Sequence, residues 1–187
     1  MGNKKKYSSI TELRECLEKG IDIKVGDTFK ATDIGGKAVF EIADVRKKYI
    51  YVIRKYVLND EFNKDHYELD EFLDGEYYNS LPQELTDLIV ERDGRKIFVP
   101  REKEIFGENI YSAEEKGKQW EIFKTTKGRI RTQDDKYGIA RRYWESSPNV
   151  SYSSSFCYVT IAGAADGNVA STAYGVLPCF RIVASAT

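Results

Sequence analysis

One histidine, three cysteines and many carboxylates are the side chains of this chain that could take part in catalysis or metal binding. Because His66 is the only histidine, any constellation that needs two or more histidines is excluded. His66 lies in the polar segment 63–67, just before a predicted helix. This context favours a surface or capping role over a catalytic one.

Carboxylate pairs occur at three places between residues 101 and 142, each in a strongly charged segment. They are Glu102 and Glu104, Glu114 and Glu115, and Asp134 and Asp135. Charge runs of this kind usually form solvated faces. Any of the pairs could act as acid and base if the fold joined its members, but the sequence singles out none of them.

Cysteine usage and glycine spacing argue against a cofactor. Cys16, Cys157 and Cys179 lack the spacing of a zinc site and are an odd number for a disulfide framework. The segments 35–37 and 163–167 lack the glycine pattern of phosphate-binding loops and are predicted to be turns. We therefore expect no catalytic residues, no metal, no cofactor, and reduced thiols that are mostly buried.

Composition sets the class of protein. With 187 residues, 41% of them hydrophobic and 13% aromatic, the chain can bury the core of one domain. Its formal net charge is −1, and basic and acidic residues balance, so no nucleic-acid partner is expected. Neither a bilayer-spanning stretch nor a classical signal peptide is recognised, so we expect no membrane insertion.

The spacing of apolar residues predicts the helices and strands that would position any functional site. Ser9 to Glu12 has the form of a capping box, and Ile10, Leu13 and Leu17 recur at helical spacing. The segment 21–58 alternates like antiparallel strands, and two helical faces follow between residues 69 and 89. Residues 101–142 are expected to be irregular with short helical pieces. The fold class is therefore α+β.

The last quarter of the chain has a different composition from the rest. From residue 143 onward only Glu145, Asp166 and Arg181 are charged, which is 3 of 45 residues against 56 of the preceding 142. Between Pro148 and Arg181 there is no Lys, Glu, Gln, Met or Trp, although about nine would be expected at their earlier frequency. The same segment mixes tyrosine with small polar residues, as antibody paratopes do. Either a binding surface or a strand bundle without a ligand would fit.

Several motifs resemble an uncharacterised C-type-lectin-like domain family that is common in Firmicutes and their phages. The segment 143–148, Tyr-Trp-Glu-Ser-Ser-Pro, resembles the family's Trp-x-x-Ser-Pro, and 175–182 resembles its Gly-Val-x-Pro-x-Phe-x-Ile. The segments 68–89, 96–100, 104–107 and 119–130 are similar as well. The resemblance implies a C-type-lectin-like fold over 21–187, preceded by an N-terminal helical extension at 1–20.

This chain departs from the family pattern at three points. Glu145-Ser146 stands where the family commonly has Leu-Arg. The Glu-Pro-Asn loop of calcium-dependent lectins is absent, so calcium-mediated sugar binding is not implied. The related formylglycine-generating enzymes use a cysteine pair, whereas Cys157 and Cys179 each lie in a strand-like motif.

Some proteins of this wider group are the variable proteins of diversity-generating retroelements, in which a reverse transcriptase randomises adenines. Randomising the adenines of an Asn codon that ends in a pyrimidine never yields Lys, Glu, Gln, Met or Trp, which are the residue types missing here. The resemblance thus implies a variable region at 149–174. Its candidate ligand-binding positions are Tyr152, Ser154, Ser155, Tyr158, Thr160, Ile161, Ala162, Ala164, Asp166, Asn168, Val169, Thr172 and Tyr174.

The positions expected to hold the scaffold of that region are Trp144, Pro148, Phe156, Val159, Gly163, Gly175, Val176 and Phe180. The first hypothesis is a non-enzymatic phage or prophage protein that binds a protein or glycan ligand on a bacterial surface, either as a monomer or as a homo-oligomer. It would reside in the virion or the cytoplasm. The alternatives are a cytoplasmic enzyme or effector with a cleft near Cys157 or His66, and an invariant structural module.

Overall fold

The computed structural model describes residues 4–133 and 138–184, so Asp134 and Asp135 lie outside the described residues. Within these two ranges, ten strands form three sheets. They are β1 (Lys6–Tyr7), β2 (Thr28–Asp33), β3 (Gly36–Val45), β4 (Tyr49–Arg54), β5 (Arg131–Thr132), β6 (Ala140–Arg141), β7 (Tyr143–Pro148), β8 (Ser155–Val159), β9 (Ala165–Val169) and β10 (Cys179–Val183).

Short helices surround these sheets. They are α1 (Ile10–Glu18), α2 (His66–Phe72), α3 (Tyr78–Ser80), α4 (Gln83–Thr86), α5 (Glu102–Phe106) and α6 (Thr126–Arg129). A π-helical turn, Leu73–Tyr77, joins α2 to α3, and 3-10 turns occupy Asp60–Phe62 and Glu121–Phe123. The predicted α+β class is confirmed. Among the described residues, no helix has both the length and the apolar composition that a membrane span requires.

The large sheet runs in the order β1-β2-β3-β4-β10. Strands β2, β3 and β4 pair antiparallel, as predicted for 21–58. Strand β10 pairs antiparallel with β4, and β1 pairs with β2 in parallel. The sheet is covered on both faces. Along β4, Ile50 and Val52 belong to one core cluster, and Tyr51 and Ile53 belong to the other. Burial on both faces explains why β4 is continuously apolar and does not alternate.

Helix α1 begins where the sequence predicts. The Ser9 side chain accepts a hydrogen bond from the Glu12 amide, and the Glu12 carboxylate accepts one from the Ser8 amide. Ile10, Leu13 and Leu17 are buried in the same core cluster as β2 and β3. The predicted boundary at residue 20 therefore does not separate two cores.

The two helices predicted from residue 69 onward differ in length from that expectation. The first runs from α2 through the π turn into α3 and buries Leu69, Phe72 and Leu73. The second is a single turn, α4, although Leu85 is fully buried. Beyond it, Ile89 forms a β-bridge with Ile182, because the chain leaves the helix to follow the edge of β10.

Candidate functional site

Strands β7, β8 and β9 form the small sheet, which carries most of the predicted variable region. Strand β8 lies in the centre and pairs antiparallel with both neighbours, and β9 is an edge strand. The turn from β8 to β9 contains Gly163 at φ +74°, a conformation that favours glycine. A Cβ at this position would lie 3.0 Å from the Thr126 carbonyl oxygen. The turn is therefore fixed against α6.

The return from the small sheet to β10 depends on a close contact at Gly175. A Cβ at Gly175 would lie 2.5 Å from Val57 Cγ1 and 2.6 Å from the Arg142 carbonyl oxygen. The Trp144 amide donates to the Gly175 carbonyl oxygen. Gly175 thus lets the end of the variable region pass directly against the start of β7.

One face of the small sheet carries a connected group of candidate positions. The Tyr158 hydroxyl donates to Asp166 Oδ2 over 2.8 Å, and Asn168 Nδ2 donates to the Tyr174 hydroxyl oxygen over 2.6 Å. The rings of Tyr158 and Tyr174 lie 4.6 Å apart, and both contact the buried ring of Trp144. Burial raises the pKa of Tyr158, and the hydrogen bond to Asp166 adds to the effect. We call Tyr158, Asp166, Asn168 and Tyr174 the tyrosine face.

The thirteen candidate ligand-binding positions, including those of the tyrosine face, differ in how far they are exposed to solvent. Most are exposed, and Tyr152 shows 69% of its surface to solvent. Ser155 and Tyr158 are buried, which the sequence pattern does not indicate. The exposed set is Tyr152, Ser154, Ile161, Ala162, Ala164, Asp166 and Val169, and the half-buried set is Thr160, Asn168, Thr172 and Tyr174.

A shallow cavity of about 310 Å³ lies beside the tyrosine face. Ile161, Ala173 and Tyr174 line it together with residues from outside the variable region, including Asp60 and Arg141. Arg141 Nη2 donates to Asp60 Oδ2 over 3.0 Å. This volume is at the lower end of the range for small-ligand sites, about 300–1,000 Å³. The candidate positions thus meet fixed charged residues at this cavity.

The expected scaffold residues are mostly internal. Trp144, Val159, Gly163, Gly175, Val176 and Phe180 are buried. Phe156 is half-buried, and Pro148 is exposed, so Pro148 anchors no core. Phe156 packs against the first core cluster and also stacks on His66, with ring centroids 3.4 Å apart.

His66 has a structural environment. Its Nε2 lies 2.9 Å from the Glu145 carbonyl oxygen, and because a carbonyl only accepts, Nε2 carries the proton. Burial lowers the pKa of His66. The ring borders a cleft of about 340 Å³ that also contains Arg92, Arg95 and Arg101. Each of these arginines forms an ion pair with a carboxylate.

A buried group that the sequence analysis does not assemble lies behind the other face of the small sheet. Glu102 at the start of α5, Glu145 in β7 and Cys157 in β8 are each fully buried, and their ligand atoms lie within 4.8 Å of one another. We call these three residues the buried acidic cluster. Their donor set of two carboxylates and a thiol is one that could hold a metal ion. The only sequence signal is Glu145 itself, which is one of three charged residues from residue 143 onward.

The three cysteines are free and buried, as expected from the sequence. Cys157 lies in the small sheet and Cys179 in the large one, where its Sγ contacts the Leu177 carbonyl oxygen. Burial raises the pKa of both thiols. Neither thiol is therefore activated as a nucleophile.

The fold and the site together define an α+β domain with a small, loop-bearing sheet on its surface. A family model described as Domain of unknown function (DUF6273) matches residues 45–184, and the chain belongs to this family. No curated protein matches the chain. No solved structure matches it either.

Proposed function

We propose that this protein is a non-enzymatic ligand-binding protein with a C-type-lectin-like fold, and that the segment 149–174 is a surface diversified by a retroelement. Its ligand would be a protein or glycan on a bacterial surface, and its origin a phage or prophage. The observation that carries the proposal is the coincidence of two properties. The stretch that lacks Lys, Glu, Gln, Met and Trp also supplies strands β8 and β9 of the small sheet and the exposed loops that connect them.

The chemistry of the surface supports binding over catalysis. Tyrosine contributes a large contact area at a low cost in conformational entropy, and Asn and Asp supply adaptable hydrogen bonds. Tyr152 is exposed, and the tyrosine face is already ordered by its own hydrogen bonds. An ordered paratope loses less entropy on association. Of the two residues of the enzyme alternative, His66 has its Nε2 occupied by the Glu145 carbonyl, and burial raises the pKa of the Cys157 thiol, which disfavours the nucleophilic thiolate.

The rigid frame supports the same proposal. A diversified protein must keep its backbone while its side chains change. Gly163 in the turn before β9 and Gly175 in the segment that leads to β10 fix the chain on either side of β9 by contacts that a side chain would break. Val159 and Val176 anchor the neighbouring segments in the interior. The variable positions are therefore attached to a scaffold that does not depend on most of them.

The test is to sequence the 3′ end of this gene in many related genomes or in one viral population. We expect substitutions concentrated at exposed candidate positions such as Tyr152, Ile161 and Val169, with residue types restricted to those of randomised Asn codons. A nearby near-copy of the 3′ end that differs mainly at adenines should accompany them.

Tyr67, Val45 and Ile110 serve as matched control positions, since they are as exposed as the candidates but lie outside 149–174. Substitution at equal frequency in both sets would indicate ordinary drift and contradict diversification. Identical sequences across 149–174 in all copies would instead favour an invariant structural module.

A further inference from the structure

The Glu145 side chain is in an environment that a carboxylate alone does not tolerate. It has no solvent exposure, and neither of its carboxylate oxygens has a hydrogen-bond partner among residues 4–133 and 138–184. Leaving such a group buried and unsatisfied is strongly unfavourable. Burial, followed by the charge of Glu102, raises the pKa of Glu145 well above its usual range.

Glu102 beside it is held in place by hydrogen bonds. Its carboxylate accepts hydrogen bonds from the amides of Ile110, Tyr111 and Ser112, and from the Ser112 hydroxyl. The second member of the cluster is therefore fixed in position before any ligand arrives.

A distortion of the small sheet brings Glu145 next to Glu102. Trp144 pairs with Tyr158 and Pro148 pairs with Phe156, so three residues of β7 lie opposite the single residue Cys157 of β8. Bulges of this kind redirect side chains and are frequent beside functional sites. Here the bulge turns Glu145 inward, next to Cys157 and Glu102.

No basic side chain compensates the charge of the cluster. In the described part of the chain, none of the ion pairs includes Glu102 or Glu145. The nearest further charges that act on Glu145 are also negative, since Glu115 contributes to its raised pKa. A compensating cation must therefore come from solution, or Glu145 must stay protonated.

We propose that Glu102, Glu145 and Cys157 bind one divalent metal ion, and that the ion is Zn²⁺. Mg²⁺ and Ca²⁺ prefer all-oxygen sites, whereas Zn²⁺ accepts carboxylate and thiolate together. Zinc–ligand distances of about 2.0–2.3 Å place neighbouring ligands roughly 3.5 Å apart, so atoms within 4.8 Å need only a small closure.

Binding exchanges protons for the metal. Glu145 and Cys157 each release one proton to solvent as their bonds to Zn²⁺ form, with no change in oxidation state. Because the three ligands are buried and come from α5, β7 and β8, the ion would link these three elements. It would fasten the small sheet to the segment 109–112. The cysteine spacing alone predicts no zinc site, since two of the ligands are carboxylates from other elements.

The experiment uses the full chain without a histidine tag, dialysed against a chelator and titrated with ZnCl₂ by calorimetry. We expect one Zn²⁺ per chain, affinity that rises with pH, and a thiolate-to-metal charge-transfer absorption when Co²⁺ replaces Zn²⁺. E145Q and C157S should each weaken binding by at least about tenfold, as loss of a ligand does. C16S, which removes a buried thiol outside the cluster, should leave it unchanged.

Absence of one-to-one binding, or equal binding by wild type, E145Q and C157S, would overturn the proposal. In that case Glu145 is a protonated acid, and E145Q should keep the wild-type melting temperature with and without Zn²⁺. If E145Q does not fold, the wild-type protein alone decides the question. Its cobalt spectrum either contains the thiolate band or lacks it.

Discussion

The imidazole of His66 lies flat on the ring of Phe156, with the two centroids 3.4 Å apart, while its Nε2 donates to the Glu145 backbone. The only histidine of the chain therefore joins the start of α2 to both β7 and β8. It is neutral in this arrangement, because burial lowers its pKa.

Stability should consequently fall in mild acid. A histidine in the unfolded chain takes up a proton near its ordinary pKa of 6.5, whereas the folded His66 does so only at lower pH. Below about pH 6.5 the unfolded state therefore binds more protons than the folded state. The free energy of unfolding decreases as the pH drops through 6.5. Urea unfolding of wild type and H66Q between about pH 7.5 and 5.5 measures the effect. The glutamine side chain keeps a donor for the Glu145 carbonyl but cannot titrate. An equal pH dependence in both proteins would contradict the assignment to His66.

Replacing Gly175 with alanine should destabilise the protein by about 1–3 kcal/mol, because the new Cβ would overlap Val57 and the Arg142 carbonyl. Gly75→Ala is the control. No atom lies within 4 Å of its added Cβ, and the residue is in the π-helical turn. We expect this control to be neutral or slightly stabilising. Chemical denaturation of both variants measures the free energy of unfolding. Similar losses of stability in the two variants would mean that the close contact at Gly175 does not determine the effect.

Two tyrosines of the variable region should respond differently to truncation. Tyr158→Ala should cost about 3 kcal/mol or more, because its ring is buried against Trp144 and Tyr174. Tyr152→Ala should change stability by no more than about 0.5 kcal/mol, because the side chain is exposed. Thermal unfolding of the two variants tests the difference. A large loss for Tyr152→Ala would show that this loop supports the fold.

Arg54 and Asp33 form a buried ion pair in the large sheet, with Nε and Oδ2 2.7 Å apart, and the Tyr77 hydroxyl donates to the same oxygen. Arg54→Met should cost about 3–5 kcal/mol, since it leaves Asp33 buried without a cation. The exposed pair of Lys19 and Glu15 is the control, and Lys19→Met should cost less than about 1 kcal/mol. Equal effects on the urea midpoint would contradict a larger contribution from the buried pair.

The sequence predicted those parts of the fold that depend on residues close together in the chain. Examples are the Ser9 cap, the apolar spacing of α1 and the β-branched and aromatic residues of β3 and β4. The second predicted helix failed because Leu85, Leu88 and Ile89 have helical spacing, but the chain after α4 gains more by pairing with β10. Tertiary pairing overrode local propensity there.

Some features of the candidate site could likewise be predicted from the sequence, and others could not. Exposure of Tyr152 or Ile161 follows from polar, small-residue surroundings, whereas Ser155 is buried although its partner Val169 in the small sheet is exposed. The buried acidic cluster joins residues from α5, β7 and β8 through a bulge. No periodicity or spacing rule connects residues that only a distortion of the sheet brings together.

Burial of β4 on both faces affects how the protein unfolds. One core cluster contains Val52 and the other contains Ile53, so displacing β4 removes packing from both clusters at once. The two halves of the interior are thus thermodynamically coupled into one cooperative unit. Backbone amides of β4 should exchange with solvent deuterium only through global opening, while amides at the exposed edge of β9 exchange through local opening.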